Sequence, residues 1–470
     1  MKKILAALLL VGLVIVLAYG GASYWVGEQA LKQHDLLIAQ INRSDWVEAL
    51  SKSYERGLFR STALTTVTVS QPAGGDSIKF GIISSIHHGP LVFLQNQHLK
   101  GSLHPALAVI HSRLAPDDST DALKKFLEKI PELRSSEILT VIALDGSADT
   151  YCDIPQFRKT LTNDKGEEFE VQCGGFGAKF QFNAQLGEAS GSYGAPSLQM
   201  VEKNDQLLVK NVHGDFNSHL GMKGLWVGSM TFSIESIEAL DKGEPAFNLA
   251  SFGMQAESGF AGETVNGSIR LGFDKLDAGG LGLGPVSMEF QARKLDADVL
   301  SRFERMAPDI RKKAAGESGD DADAMDAFVR QTIFDLLAKS PEFEMKQLKM
   351  RTDKGDLSGM AKVAFSGLAD NLSGNILAIL GSIDANAELS VSEALFFFIA
   401  ENVLHDGSEP DAEKAAKHRA GEIAKGLLAE NIMVRENGAF KSGAVYKHGK
   451  LIVNGRKMDF SGLLGSLSAE

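Results

Sequence analysis

Between residues 137 and 293 the chain is a succession of short alternating segments parted by turn residues, with no stretch long enough for a helix to intervene. Residues 137–144, 178–186, 207–212, 230–237, 247–256, 265–273 and 286–293 read as strands, several separated by Gly, Asn or Asp turns such as Lys203-Asn204-Asp205. Parallel neighbours need a long crossover, usually a helix, and this stretch contains none. The pairing is therefore expected to be antiparallel and largely sequential, giving a long curved meander sheet.

Upstream, residues 27–53 are helix-compatible, with Leu31, Leu36, Ile38 and Ile41 among polar residues and neither Gly nor Pro from Glu28 onward. The pattern changes at Tyr54-Glu55-Arg56-Gly57. Gly57 suits the left-handed position that ends a helix, and Phe59, Ala63, Val67 and Val69 then fall on one strand face. A turn at 71–76 leads to a second strand, 78–86, which His87-His88-Gly89-Pro90 would end. Downstream from Asp296, Leu300, Phe303 and Met306, then Met325, Phe328, Ile333 and Leu336, recur at helical spacing. Strands return at 343–350 and 359–365, helices are expected at 392–403 and 408–428, and short strands close the chain around His448-Gly449 and Asn454-Gly455.

The expected fold is thus α+β and predominantly antiparallel β, with a few packed helices in the C-terminal half. Its parts are an anchor (1–26), a helical stalk (27–53), a β body (54–295) and a mixed segment (296–470) continuing that body. The anchor is Met1-Lys2-Lys3 followed by an uncharged run, 4–26, long enough to cross a bilayer as a transmembrane helix. The paired lysines favour a cytoplasmic start, which puts the body in a bacterial periplasm, held at the inner membrane by one span. Cleavage as a signal peptide, near Ala18-Tyr19-Gly20, is the competing outcome. Across 470 residues the net charge is −12 with no Lys/Arg run longer than three residues, which argues against a nucleic-acid partner.

The two cysteines, Cys152 and Cys173, flank a hairpin-like segment with Asn163-Asp164-Lys165-Gly166 as its turn. In an oxidising compartment they can pair as a disulfide; the other reading is two free thiols. Catalytic motifs are absent: there is no Gly-x-Ser-x-Gly, Walker loop or His-Glu-x-x-His. The glycine-rich run 279–284 breaks dinucleotide spacing and precedes Pro285 and a strand, so it reads as a loop. His87 and His88, adjacent on a strand, point to opposite faces and do not share an ion. His98, His104 and His111 read as ordinary histidines, and Asp320, Asp321, Asp323 and Asp326 as a solvated helix start. No metal, cofactor or catalytic residue is assigned. The most unusual apolar feature is Leu395-Phe396-Phe397-Phe398-Ile399, a helix apolar nearly all round. It is either buried between sheet and helices or an apolar contact for a partner or lipid chain.

Three stretches carry a resemblance: Trp25-Val26-Gly27-Glu28-Gln29 after the anchor, Tyr54-Glu55-Arg56-Gly57-Leu58-Phe59-Arg60-Ser61 with His88-Gly89-Pro90, and the ending from Tyr446 through Asn454-Gly455 to Met458. As a set they resemble the YdgA/YihF family of bacterial envelope proteins. The resemblance implies a single-span inner-membrane protein with a periplasmic body and no established activity. Tyr54, Arg56, Gly57, Phe59, His88, Gly89, Pro90, Asn454 and Gly455 then look like corner and turn devices. The cysteine pair and the phenylalanine run depart from it.

The expected function is a non-catalytic envelope scaffold whose sheet offers a groove to a lipid or another envelope protein. A lipid groove, similar to those of periplasmic β-taco transport proteins, requires a continuous apolar lining; a charged lining leaves a protein-binding scaffold. The alternative is a periplasmic hydrolase acting on envelope glycan or peptide. Self-association into a homodimer is compatible with either.

Overall fold

The computed structural model describes residues 47–458 apart from 71–76, 90, 94–96, 100–102, 163–164, 279–280, 315–318, 367–375 and 405–411, together with residues 23, 26–29, 31–32, 34–36, 38–39 and 42. The expected anchor lies almost entirely outside these residues. Among the described residues no helix is long and apolar enough to cross a membrane, so the transmembrane element of the expected fold is withdrawn and an antiparallel β architecture remains. The chain divides into two units at His219/Leu220, within the stretch read as the β body.

The first unit contains β1 (Val47–Glu55), β2 (Arg60–Val69), β3 (Ile78–His88), the short β4 (Val92–Phe93) and β5 (Leu103–His104), β6 (Ala108–Ala115), α1 (Asp121–Lys129), β7 (Glu137–Ile142), β8 (Ala148–Ile154), β9 (Phe157–Thr162), β10 (Glu168–Cys173), β11 (Phe176–Phe182), β12 (Glu188–Glu202) and β13 (Asp205–Leu220). The ladder runs β1-β2-β3-β6-β7-β8-β11-β12-β13, with the β9–β10 hairpin continuing β8 and β11 along the second half of β12. One face is sealed by Ala63, Ile86, Ala108, Ile110 and Ile142 with Tyr54 against it. A second core cluster joins Val92, Ala106, Val109 and Leu139, with Leu99 and Tyr151 packed on it.

The expected stalk is corrected here. Helical positions lie between 26 and 39, but Val47–Glu55 is a strand, so Tyr54 to Ser61 connects two strands and is not a helix-to-strand corner. Glu48, Ala49, Leu50 and Lys52 are good helix formers, and the β-branched partner row of β2, from Thr65 to Val69, overrides that preference by pairing. At the edge of β1, the Asn42 amide donates to the Ala49 carbonyl at 2.9 Å and accepts from the Ala49 N–H at 2.6 Å, supplying bonds that a neighbouring strand would give.

The second unit contains β14 (Trp226–Asp241), β15 (Glu244–Ala261), β16 (Thr264–Phe273), β17 (Lys275–Ala278), β18 (Leu281–Asp296), α2 (Ala297–Ala314), α3 (Gly319–Ala338), β19 (Glu342–Thr352), β20 (Gly355–Phe365), α4 (Ile376–Ser382), β21 (Ile383–Ser392), α5 (Glu393–Leu404), α6 (Ala412–Ala429), β22 (Val434–Glu436), β23 (Ala439–Lys447), β24 (Lys450–Val453) and β25 (Arg456–Met458). Its ladder is sequential and antiparallel, β14-β15-β16-β18-β19-β20-β21-β23-β24-β25, with β17 beside β15 and β18, and β22 beside β23. Lys242-Gly243, Asn437-Gly438, His448-Gly449 and Asn454-Gly455 all have φ between 46° and 87°, the geometry of two-residue hairpin turns that match strand twist. Asn454 also anchors its neighbours: its Oδ1 accepts from Gly443 N–H at 2.8 Å, and its Nδ2 donates to the Asn431 and Ile432 carbonyls at 3.0 Å.

One face of this sheet is a lattice of charge. Arg270 donates to Gln255 and Glu289, Arg293 to Glu344, and Glu342 receives Lys294, Lys362 and Arg293. Hydrogen bonding from Lys294, with Lys362 adding to it, holds the Glu342 carboxyl at a pKa of about 2 despite an opposing effect of burial. At the C-terminal end of the opposite face, Val391, Leu395, Ala424, Met433 and Phe440 form a core. The Phe396 and Phe397 rings meet Phe440 edge-on at 5.0 and 6.0 Å.

Leu395 is 2% exposed. Leu395→Ala is expected to destabilise the second unit by about 2–5 kcal/mol in denaturant unfolding. Because the folded-state pKa of Glu342 lies below its ordinary 4.5, its contribution is present above that pH and lost as pH falls through about 2. Glu342→Gln should therefore cost about 2 kcal/mol at pH 7, and the gap from the parent should close in melts taken from pH 4.5 down to 2.

Candidate functional site

The sequence motif around Tyr54 folds into a buried polar clasp in the first unit. His88, the last residue of β3, is 3% exposed, and its Nε2 lies 3.0 Å from the Oγ of Ser61, itself 1% exposed. The His88 N–H donates to the Phe59 carbonyl at 3.0 Å, and Gly89, at φ 144°, continues towards Leu107. Burial lowers the His88 pKa against an opposing backbone hydrogen bond at Ser23, and the nearby Arg56 charge acts in the same direction as burial. Gly27 is needed because a Cβ there would approach His88 Cε1 to 2.7 Å. Gly57 does not have the expected left-handed φ; a Cβ there would run into the Arg60 carbonyl. Phe59, read as sharing a strand face with Ala63, precedes β2 and is 48% exposed. Pro90 lies outside the described residues.

This hydroxyl–imidazole pair resembles catalytic chemistry only in composition. Both side chains are sealed from solvent, so no substrate reaches them; they tie the N-terminal helical segment to the sheet. Ser61 and Gly27 lie in the stretches that carry the resemblance but were given no role, since nothing local in a strand serine or a helical glycine shows that His88 packs against them.

The cysteines are free, which corrects the disulfide expectation. They do flank the expected hairpin, but Cys152 pairs with Ala178 whereas Cys173 pairs with Phe157, five residues farther along. That offset is about 16 Å of strand, beyond the reach of a disulfide. The His111 Nε2–H donates to the Glu137 carboxylate at 3.0 Å, and His87 lies on the same face beside Ser85. Among the described residues no three His, Cys, Asp or Glu side chains converge as a metal cage requires. The aspartates 320, 321, 323 and 326 lie on α3, and their side chains fall outside what is described. Leu395 to Phe398 are core residues of the second unit, with Ile399 39% exposed.

The feature that sequence periodicity implied but did not assemble is the second unit's apolar face. Register places Met230, Ala256, Ile269, Phe290, Met345, Ala361, Ala387, Ala444 and Val453 in one row across nine strands. Beside it runs Phe232, Met254, Leu271, Met288, Leu348, Gly359 and Leu389. The α5–α6 core covers one end of this face, and Leu225, Val227, Val265 and Ala297 form a cluster near α2 at the other. Between them Met230, Ile269, Phe290 and Leu389 remain 37–45% exposed. Nine strands at about 4.8 Å spacing make an apolar ribbon roughly 38 Å long. Neither row holds a titratable group.

No curated protein and no solved structure matches this chain. The model of a family described as "Bacterial protein of unknown function (DUF945)" matches residues 1–461, and the chain belongs to that family.

Proposed function

We propose that this protein is a non-catalytic carrier of acyl chains in the bacterial envelope, with lipid lying along the apolar row from Met230 to Val453. The observation that supports this reading is the pairing of an uninterrupted apolar row, exposed at Ile269 and Phe290, with a charged lattice on the opposite face of the same strands. An exposed apolar patch of this extent favours an apolar ligand, and a ribbon about 38 Å long exceeds the length of one extended acyl chain. The likeness of the Tyr54 and Asn454 motifs to the YdgA/YihF family supports an envelope setting, and the lysines and uncharged run at 1–26 support export from the cytoplasm. A β-lactamase fused to the C-terminus should confer ampicillin resistance if that placement is right.

The test is native mass spectrometry of the full chain, purified and incubated with phosphatidylglycerol vesicles, followed by solvent extraction. Bound phospholipid mass is expected for the parent and should fall at least tenfold for Ile269→Gln/Phe290→Gln, a polar pair that sets no like charges opposite each other across β16 and β18. Both side chains are already partly exposed, so the melting temperature should change little. Arg270→Ala, on the polar face, should retain lipid. A lipid-free parent, or a double variant that binds as the parent does, overturns the proposal; a dimeric mass free of lipid would assign the face to a second copy.

A further inference from the structure

The first unit carries a depression of about 530 Å³ that the apolar ribbon does not involve. Register puts Asp153, Gly177, Gly194 and His213 side by side on β8, β11, β12 and β13, and Tyr151, Lys179, Ser192 and Asp215 in the next row of the same face. The two central glycines create the hollow: a Cβ at Gly177 would meet nothing within 4 Å. The walls stand three strand spacings apart, about 14 Å between backbones.

Each wall is a compensated imidazole–carboxylate pair. His98 Nε2 lies 2.5 Å from Asp153 Oδ2, which also accepts from Gln97 at 3.2 Å, and His213 Nε2 lies 2.8 Å from Asp215 Oδ2. The His98 ring stacks on Tyr151 at 4.5 Å, which fixes the first wall. Lys179 is different. Its ammonium sits 5.5 Å from the Tyr151 ring centre, and among the described residues no carboxylate pairs with it. A backbone floor flanked by alternating donors and acceptors suits a ring bearing several hydroxyls, since each hydroxyl both donates and accepts. The one uncompensated charge is positive.

We propose that this depression binds a pyranose carrying one carboxylate, with the ring over Gly177 and Gly194, its hydroxyls shared by the two histidine–aspartate pairs and its carboxylate at Lys179. The ligand is thus an acidic saccharide, and the site is independent of lipid binding in the second unit.

Calorimetric titration of the full chain with sodium D-glucuronate, and in parallel with methyl glucoside, tests this. Glucuronate should bind, and methyl glucoside at least fivefold more weakly. At Gly177 a Cβ meets nothing within 4 Å, so Gly177→Leu starts its side chain in open space and projects it into the hollow; binding should be lost while the cooperative thermal transition is kept. Lys179→Gln should weaken glucuronate at least fivefold and leave methyl glucoside unaffected. Absence of glucuronate binding, or equal binding by the Gly177→Leu variant, overturns the site. Equal affinity for both sugars, or an unchanged Lys179→Gln, overturns its acidic specificity.

Discussion

Everything in this protein depends on antiparallel ladders held in register over long strands. Because side chains alternate faces at every residue, a fixed register sorts each strand into two rows, and neighbouring strands extend those rows sideways. A slip of one residue at Ile269 would carry Arg270 into the apolar row and Ile269 into the charged one. The turn between Ala261 and Thr264, with Gly262 at φ 65°, opposes this for β16, as Lys242-Gly243, His448-Gly449 and Asn454-Gly455 do for their own hairpins.

The charged face reinforces that register. Arg270 spans Gln255 and Glu289 on the two flanking strands, and Glu342 gathers Lys294 and Lys362 from either side. Such cross-strand pairs are individually modest, but each is satisfied only when the strands are correctly aligned. The opposite face contributes no such specificity, which is consistent with a surface that adapts to flexible apolar chains. The first unit applies the same rule to different ends: its apolar row forms a closed core, its other face carries histidine–carboxylate pairs, and glycines hollow that face where bulkier residues would fill it.

Local rules read well where a residue's role is set by its immediate neighbours. The Asn454-Gly455 turn, the cysteine-flanked hairpin and the helix around Phe397 were legible because turn geometry and periodicity are short-range. They failed where a distant segment decides. Residues 47–53 have helical propensity but pair with β2, Phe59 alternates with Ala63 but precedes the strand, and the cysteines share a hairpin but are offset along it. Ser61 became a site residue only through His88, 27 positions away.

The sequence by itself determined the antiparallel β character, though not the transmembrane element read with it, because a helix-free run of alternating segments with turn residues between them permits little besides an antiparallel meander, and it determined local turns such as Asn454-Gly455. Tertiary structure alone decided the faces. Which residue stands opposite which is a property of register between segments tens of residues apart, and local periodicity carries no information about it. The row from Met230 to Val453 and the four-strand line from Asp153 to His213 exist only through that register, and both candidate binding surfaces are made of them.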